Sequence, residues 1–230
     1  YRFSSAEELV DDIEALSGMI KHHTEKQVPR LEELSDYYKG NNRTILRAKR
    51  RKEDHNADYR AVHNFAKYIS QFIQGYMVGV PLKTSYTEEA TNNKLKDINR
   101  TNDADEHNSD LVLDLSIYGR AYELLYRNQQ DETRFTLSDV KETFVIYDMT
   151  VEMNPIAAVR YIKHKFKDEK VTVKLYTKDT IYTYEINSVT DVEYGEPIKE
   201  TNFFQGVPIV EYENNKFRQG DFEDVLNSID

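Results

Sequence analysis

Between Val62 and Leu82 the chain reads VHNFAKYISQFIQGYMVGVPL, and this stretch limits the possible folds more than any other. Val62, Phe65, Ala66, Ile69, Phe72, Ile73 and Tyr76 recur at helical spacing, while Asn64, Lys67, Gln71 and Gln74 fall outside that stripe. Apolar residues at i, i+3, i+4 and i+7 predict an amphipathic helix whose stripe belongs to a core. Gly75 and Gly79 are suited to left-handed caps. Pro81 biases Val80 towards extended backbone, so the pattern predicts a helix that exits into a strand over Lys83–Tyr86. A membrane span needs about 20 consecutive apolar residues, and Lys67 with two glutamines interrupts this one.

The rest of the chain can be placed around that helix. Ser5 and Glu8 have capping-box spacing, and Leu9, Ile13, Leu16 and Ile20 continue with helical period, predicting a first helix over about Ala6–Lys26 that ends in the polar HHTEKQ run. Pro29 suits the first turn of a second helix, with Leu31, Leu34 and Tyr37 on one side and Gly40 as its terminator. Further helices are predicted over Thr87–Asn99 and Asp103–Leu115, closed by Gly119. Strand patterns follow at Ala121–Tyr126, Phe144–Tyr147, Ala158–Phe166, Val171–Thr177, Ile181–Ile186 and Gly206–Glu213, with Lys178 and Asp179 as a hairpin turn. Asp221 as N-cap, followed by Phe222, Val225, Leu226 and Ile229, opens a last amphipathic helix. The fold class expected is α+β, a helical N-terminal half packed with a strand-rich second half. The expected divisions are N-terminal helices at 1–40, a basic loop at 41–58, an α+β domain at 59–219 and the start of a helix at 220–230.

Composition narrows the chemistry. The chain has 230 residues, no cysteine and a formal net charge of -10. Absence of cysteine excludes a disulfide framework and thiolate metal sites. No N-terminal targeting signal is legible, and the missing initial Met marks a trimmed chain. From Glu185 to Asp230, eleven acids face three bases, a surface that repels nucleic acid. The exception is NNRTILRAKRRK at 41–52, which carries Arg43, Arg47, Lys49, Arg50, Arg51 and Lys52 and no acid. It reads as a solvated loop, or else as a contact for nucleic acid or an acidic partner. It lacks aromatics for stacking bases.

No G-x-x-x-x-G-K-[ST], G-x-S-x-G or H-E-x-x-H run occurs, so catalytic residues, cofactors and metals are all expected to be absent. Asp103, Asp105, Glu106, His107 and Asp110 lack the spacing of a calcium loop and read as an acidic first helical turn. Adjacent His22 and His23 read as polar surface. Glu142, Asp148 and Glu152 form the nearest approach to a nuclease cluster and are assigned to structure.

Four collinear segments carry a family resemblance: HNFAKYI with GYMVGVPLKTSY, SIYGRAYELLY (116–126), FVIYDMTVEMNPIAAVRY (144–161) and GVPIVEYENNKFRQGDFEDV (206–225). Together with YYKG at 37–40, this order resembles tailed-bacteriophage portal (head-to-tail connector) proteins, from about Tyr37 onward. The resemblance implies an N-terminal, wing-containing portion of a subunit that assembles with itself into a ring, usually a dodecamer, at one capsid vertex. It further implies conduction of double-stranded DNA in packaging and ejection, and docking of the terminase large subunit and head-tail adaptor proteins, with scaffold and major capsid protein as further partners. Residues 220–230 would then approach a stem, and the tunnel and most of the clip would lie beyond Asp230. The implied location is the virion, after assembly in the host cytoplasm, with no membrane. The alternatives are a carboxylate-dependent nuclease-like enzyme and a generic interaction domain.

Overall fold

The computed structural model describes residues 1–42, 45–46, 62–164, 170–189 and 194–229. The first forty residues form one nearly continuous helical rod in three pieces: α1 (Ala6–Asp11), α2 (Ile13–His22) and α3 (Val28–Tyr38). Ser5 caps α1 by accepting the Glu8 amide, and Asp12, at φ -99° and ψ 75°, breaks the rod and caps α2 through the Ala15 amide. The single helix expected over Ala6–Lys26 is thus two, because a side chain at Asp12 captures the amide that would otherwise continue the ladder. The HHTEKQ run does not end the helix. His23–Gln27 forms a π-helical turn that feeds directly into α3, with Pro29 near its start.

The end of α3 agrees with the sequence in detail. Gly40 is left-handed at φ 74°, its amide bonds the Tyr37 carbonyl, and the Asn41 amide bonds the Asp36 carbonyl, the two bonds of a Schellman cap. Leu31, Leu34 and Tyr37 are all buried. Three further helices are α4 (Phe65–Val78), α5 (Glu89–Thr101) and α6 (Ala104–Tyr118). Gly119 ends α6 at φ 76°.

Among the described residues, eight antiparallel strands build the second half: β1 (Arg120–Arg127), β2 (Thr133–Ser138), β3 (Thr143–Tyr147), β4 (Pro155–Lys163), β5 (Val171–Thr177), β6 (Thr180–Ile186), β7 (Ile198–Thr201) and β8 (Ile209–Glu213). They form a three-stranded sheet ordered β2-β1-β8 and a five-stranded meander ordered β3-β4-β5-β6-β7. Alternation sorts the meander into two buried faces. Phe144, Ile146, Val159, Tyr161, Val173 and Leu175 meet Leu9, Leu16 and Ile20 of the rod. Val145, Ala158 and Tyr176 point the other way, to Tyr122, Leu124 and Ile209 of the small sheet and Leu31 of α3. A third cluster joins Leu34, Tyr37, Ala66, Ile117 and Phe222. The architecture is α+β, with α1 and α2 on one side of the large sheet and the small sheet, joined by Leu31 of α3, on the other.

Several expected boundaries differ. Neither β2 nor β7 is predicted by the sequence pattern; both pair at sheet edges, β7 is exposed along its whole length, and β2 alternates only at Phe135 and Leu137, a run too short to stand out. β4 begins at Pro155 rather than Ala158, and β8 at Ile209 rather than Gly206. No strand forms over Lys83–Tyr86, which is exposed and pairs with no ladder. Gly79 caps α4 in the right-handed region at φ -63°, not the left-handed one. At the C-terminal end, Asp221 does not cap a helix; its carboxylate accepts from Asn214 instead. A 3-10 turn (Glu223–Val225) then leads into a single helical turn, α7 (Leu226–Ile229). Phe222 is buried there, while Val225 is exposed.

Candidate interaction surfaces

The stripe of α4 is the largest departure from expectation. Ala66 and Ser70 are buried and Ile69 and Ile73 half-buried, whereas Phe65, Phe72 and Tyr76 are 54%, 62% and 83% exposed. Contact with α3 and α6 is made through small residues, and Gln74, expected to face solvent, donates to the Ser109 hydroxyl at 2.9 Å. Small side chains let helices approach closely, so the neighbours cover only a narrow strip. The remaining aromatic face, with Tyr68 added, stands open, and Met77, Val80, Leu82 and Tyr86 at the helix end and along the exit segment are exposed as well. Apolar patches of this kind mark protein contacts.

A second exposed apolar feature lies between β3 and β4. Met149, Val151 and Met153 project from the β3–β4 loop, with Val151 fully exposed. The backbone beneath them is tightly organised. One Asp148 carboxylate oxygen accepts from the Thr150 amide (3.0 Å), the Thr150 hydroxyl (2.6 Å) and the Asn154 amide (3.2 Å), while the other takes the Asn154 side chain (3.2 Å). These bonds, the Thr150 hydroxyl first, hold the Asp148 carboxyl below its usual pKa. Met153 is left-handed at φ 54°, and the Arg2 guanidinium reaches its sulfur at 2.7 Å. The loop is a rigid apolar knob rather than a floppy connection.

The acids and histidines singled out from the sequence fall at separate places in the fold. Glu142 precedes β3 and Asp148 follows it, so at about 3.3 Å per residue the two carboxylates lie roughly 20 Å apart. Glu152 shares only the knob, where its carboxylate meets Asn154. Asp105 and Glu106 occupy the first turn of α6 as expected, but Asp103 is left-handed and its side chain makes no capping bond. His107 turns inward instead: its Nε2 lies 3.0 Å from Glu123 Oε1, and the Tyr212 hydroxyl donates to the other Glu123 oxygen at 2.8 Å. The His107 bond is the main cause holding the Glu123 carboxyl below its ordinary range. Among the described residues, no group of His, Asp and Glu side chains gathers as a metal site, and no helix is long and apolar enough to cross a membrane.

His23 corrects another expectation. His22 is exposed, but His23 is buried, its Nδ1 2.7 Å from the Tyr161 hydroxyl. That hydroxyl spends its hydrogen on the Lys141 carbonyl at 3.0 Å, so it accepts from Thr24 and His23 Nδ1 is the donor. Burial pushes the His23 pKa down to about 3 and that of Tyr161 up to about 12. The cluster ties the rod to β4 and is neutral near pH 7.

A cleft of about 660 Å³ separates the two sheets, lined by Leu124, Tyr176, Ile181 and Phe203 and by the cations Arg160 and Lys174. The basic residues named from the sequence, Arg43, Arg47, Lys49, Arg50, Arg51 and Lys52, lie outside the described residues.

Comparison with known proteins gives the frame for these surfaces. The profile of a family described as "Phage portal protein, SPP1 Gp6-like" matches residues 17–230. A search of curated proteins returned no match. The match takes in the rod from Ser17 onward, every strand and both exposed apolar features, and on that extent the chain belongs to the SPP1 Gp6-like family of phage portal proteins.

Proposed function

We propose that this chain is the peripheral, wing-containing part of a portal subunit, working in a ring at the capsid vertex as a conduit for DNA packaging and ejection. The observation that carries the reading is the collinear family match over residues 17–230. Portal proteins of this family have a structural role in the virion and form homo-oligomeric rings. The finer roles belong to the proposal: terminase and head-tail adaptor docking, contact with scaffold and major capsid protein, assembly in the host cytoplasm, and a dodecameric ring. So does the division into helices 1–40, basic loop 41–58, domain 59–219 and stem approach 220–230.

Light scattering and negative-stain imaging of the gene product containing this chain test the proposal. A closed ring is expected, because heterologous contacts around a rotation axis close on themselves. A product that stays monomeric at every concentration would overturn it. The nuclease-like alternative has its own assay: the purified chain is expected to hydrolyse neither ATP nor DNA. Metal-dependent cleavage that disappears in Glu142→Gln or Asp148→Asn would favour the enzyme. Replacing Arg47, Lys49, Arg50 and Arg51 with glutamine is expected to leave the melting temperature unchanged. Any loss of scaffold, terminase or DNA association in that variant assigns the basic run to docking.

A further inference from the structure

The geometry points to a specific contact between copies of this chain: the β3–β4 knob of one copy seats on the open aromatic face of α4 in the next. The inference rests on the ring reading above, because a heterologous ring requires each subunit to present two different, mutually complementary surfaces. The chain presents two such surfaces. One is a helix face carrying Phe65, Tyr68, Phe72 and Tyr76, all more than half exposed. The other is the compact projection of Met149, Val151 and Met153.

Chemistry pairs them. Methionine sulfur packs favourably against aromatic rings, and an unbranched thioether fits an irregular aromatic surface. Charge pairs them as well. From Val62 to Thr87 there is no acid, and Lys67 and Lys83 are the only charges, whereas Asp148–Asn154 carries Asp148 and Glu152 and no base. Lys67 lies on the far side of α4 from Phe72 and Arg2 touches Met153, so the charges that orient the contact are Lys83 on the exit segment and Glu152 on the knob, opposite signs that disfavour pairing of either patch with itself.

Preorganisation favours the knob as the inserting element. Four hydrogen bonds to Asp148 and the left-handed Met153 fix the loop before any partner arrives. Little further ordering entropy is then lost on docking. The knob and the N-terminal end of α4 also sit apart on one subunit, as a contact between successive copies requires. The knob abuts Arg2 beside Tyr147, and Tyr1 reaches His22, whereas α4 starts against Tyr38, sixteen residues further along the rod. At 1.5 Å per residue that separation is about 24 Å.

The absence of cysteine provides a clean test. Phe72→Cys and Val151→Cys are made in separate chains, both at exposed positions, and each is checked to melt like the parent. Mixed and oxidised with copper-phenanthroline, a thiol from each chain is expected to join in a disulfide, giving a heterodimer that neither variant forms alone. One chain carrying both substitutions is expected to give a ladder of oligomers. Val151→Lys, measured by sedimentation, is expected to weaken self-association about tenfold or more, the loss of one buried side chain. Cross-linking of Phe72→Cys with itself as efficient as in the mixture would overturn the contact, as would no cross-link in any combination. If the full gene product forms rings but the mixed pair does not cross-link within them, this contact is wrong and the ring reading stands. A product that never assembles overturns both.

Discussion

Single residues decide how this protein responds to pH. Asp114 sits on α6, where burial first, then Asp139 and Asp110, push its carboxyl up to about 7. The unfolded chain releases that proton near the ordinary carboxylate value while the folded chain keeps it. Stability therefore falls as pH rises from about 4 to about 7, by at most roughly 1.4 kcal/mol for each pH step of one across that window. Asp114→Asn is accordingly expected to raise the urea midpoint at pH 8 and to change it little at pH 4. His23 acts in the opposite sense. Its folded pKa lies well below the unfolded value, so the stability it contributes is present above about 6.5 and is lost as pH falls towards 3. The hydroxyl that holds it offers a direct test. Tyr161→Phe leaves a buried donor and a buried carbonyl unpaired and is expected to cost about 1–3 kcal/mol in chemical denaturation. Tyr126→Phe, at a side chain 41% exposed, is expected to cost almost nothing.

At the scale of elements, glycines separate backbone necessity from mere tolerance. Gly119 ends α6 with positive φ, and a Cβ there would lie 2.2 Å from the Arg218 carbonyl oxygen. Gly119→Ala is expected to destabilise the protein by more than about 2 kcal/mol, since strain and steric exclusion act together. Gly18 lies inside α2 with open space around it. Gly18→Ala is expected to stabilise by about 0.5–1 kcal/mol in the same thermal melt. The C-terminal turn depends on α3 and α6. Arg30 Nε meets Glu223 at 2.6 Å, and the Asp221 amide reaches the Ser116 carbonyl at 2.8 Å. A single helical turn has no stability of its own, so α7 persists by docking Phe222 and Leu226 on α3, α4 and α6.

Over the whole molecule, the aromatic face of α4 separates folding from assembly. Within this chain Phe72 is mostly solvated, so Phe72→Ser is expected to shift the unfolding free energy by no more than about 0.5 kcal/mol. The same change is expected to weaken self-association measured by light scattering. Ala66→Leu is expected to do the reverse at the level of the fold, because Ala66 is fully buried and extra methylenes in a packed contact cost about 1–3 kcal/mol. If Phe72→Ser unfolds the isolated chain, the face is internal to the fold and the contact between copies is lost as an explanation.

Elements whose signals are local were legible from the amino-acid sequence alone. The Schellman cap at Gly40, the stop at Gly119, the β5–β6 hairpin and the Leu31–Leu34–Tyr37 face all depend on residues within a few positions of one another. Tertiary structure alone decided the rest. Hydrophobic period marks which face of α4 is apolar, but whether that face is covered depends on how closely α3 and α6 approach, and the small residues Ala66 and Ser70 set that approach. His23 looks like surface until Tyr161, 138 residues away, folds against it. Edge strands β2 and β7 exist because a neighbouring ladder offers them carbonyls and amides; β7 has no side-chain pattern of its own, and β2 only the brief alternation of Phe135 and Leu137.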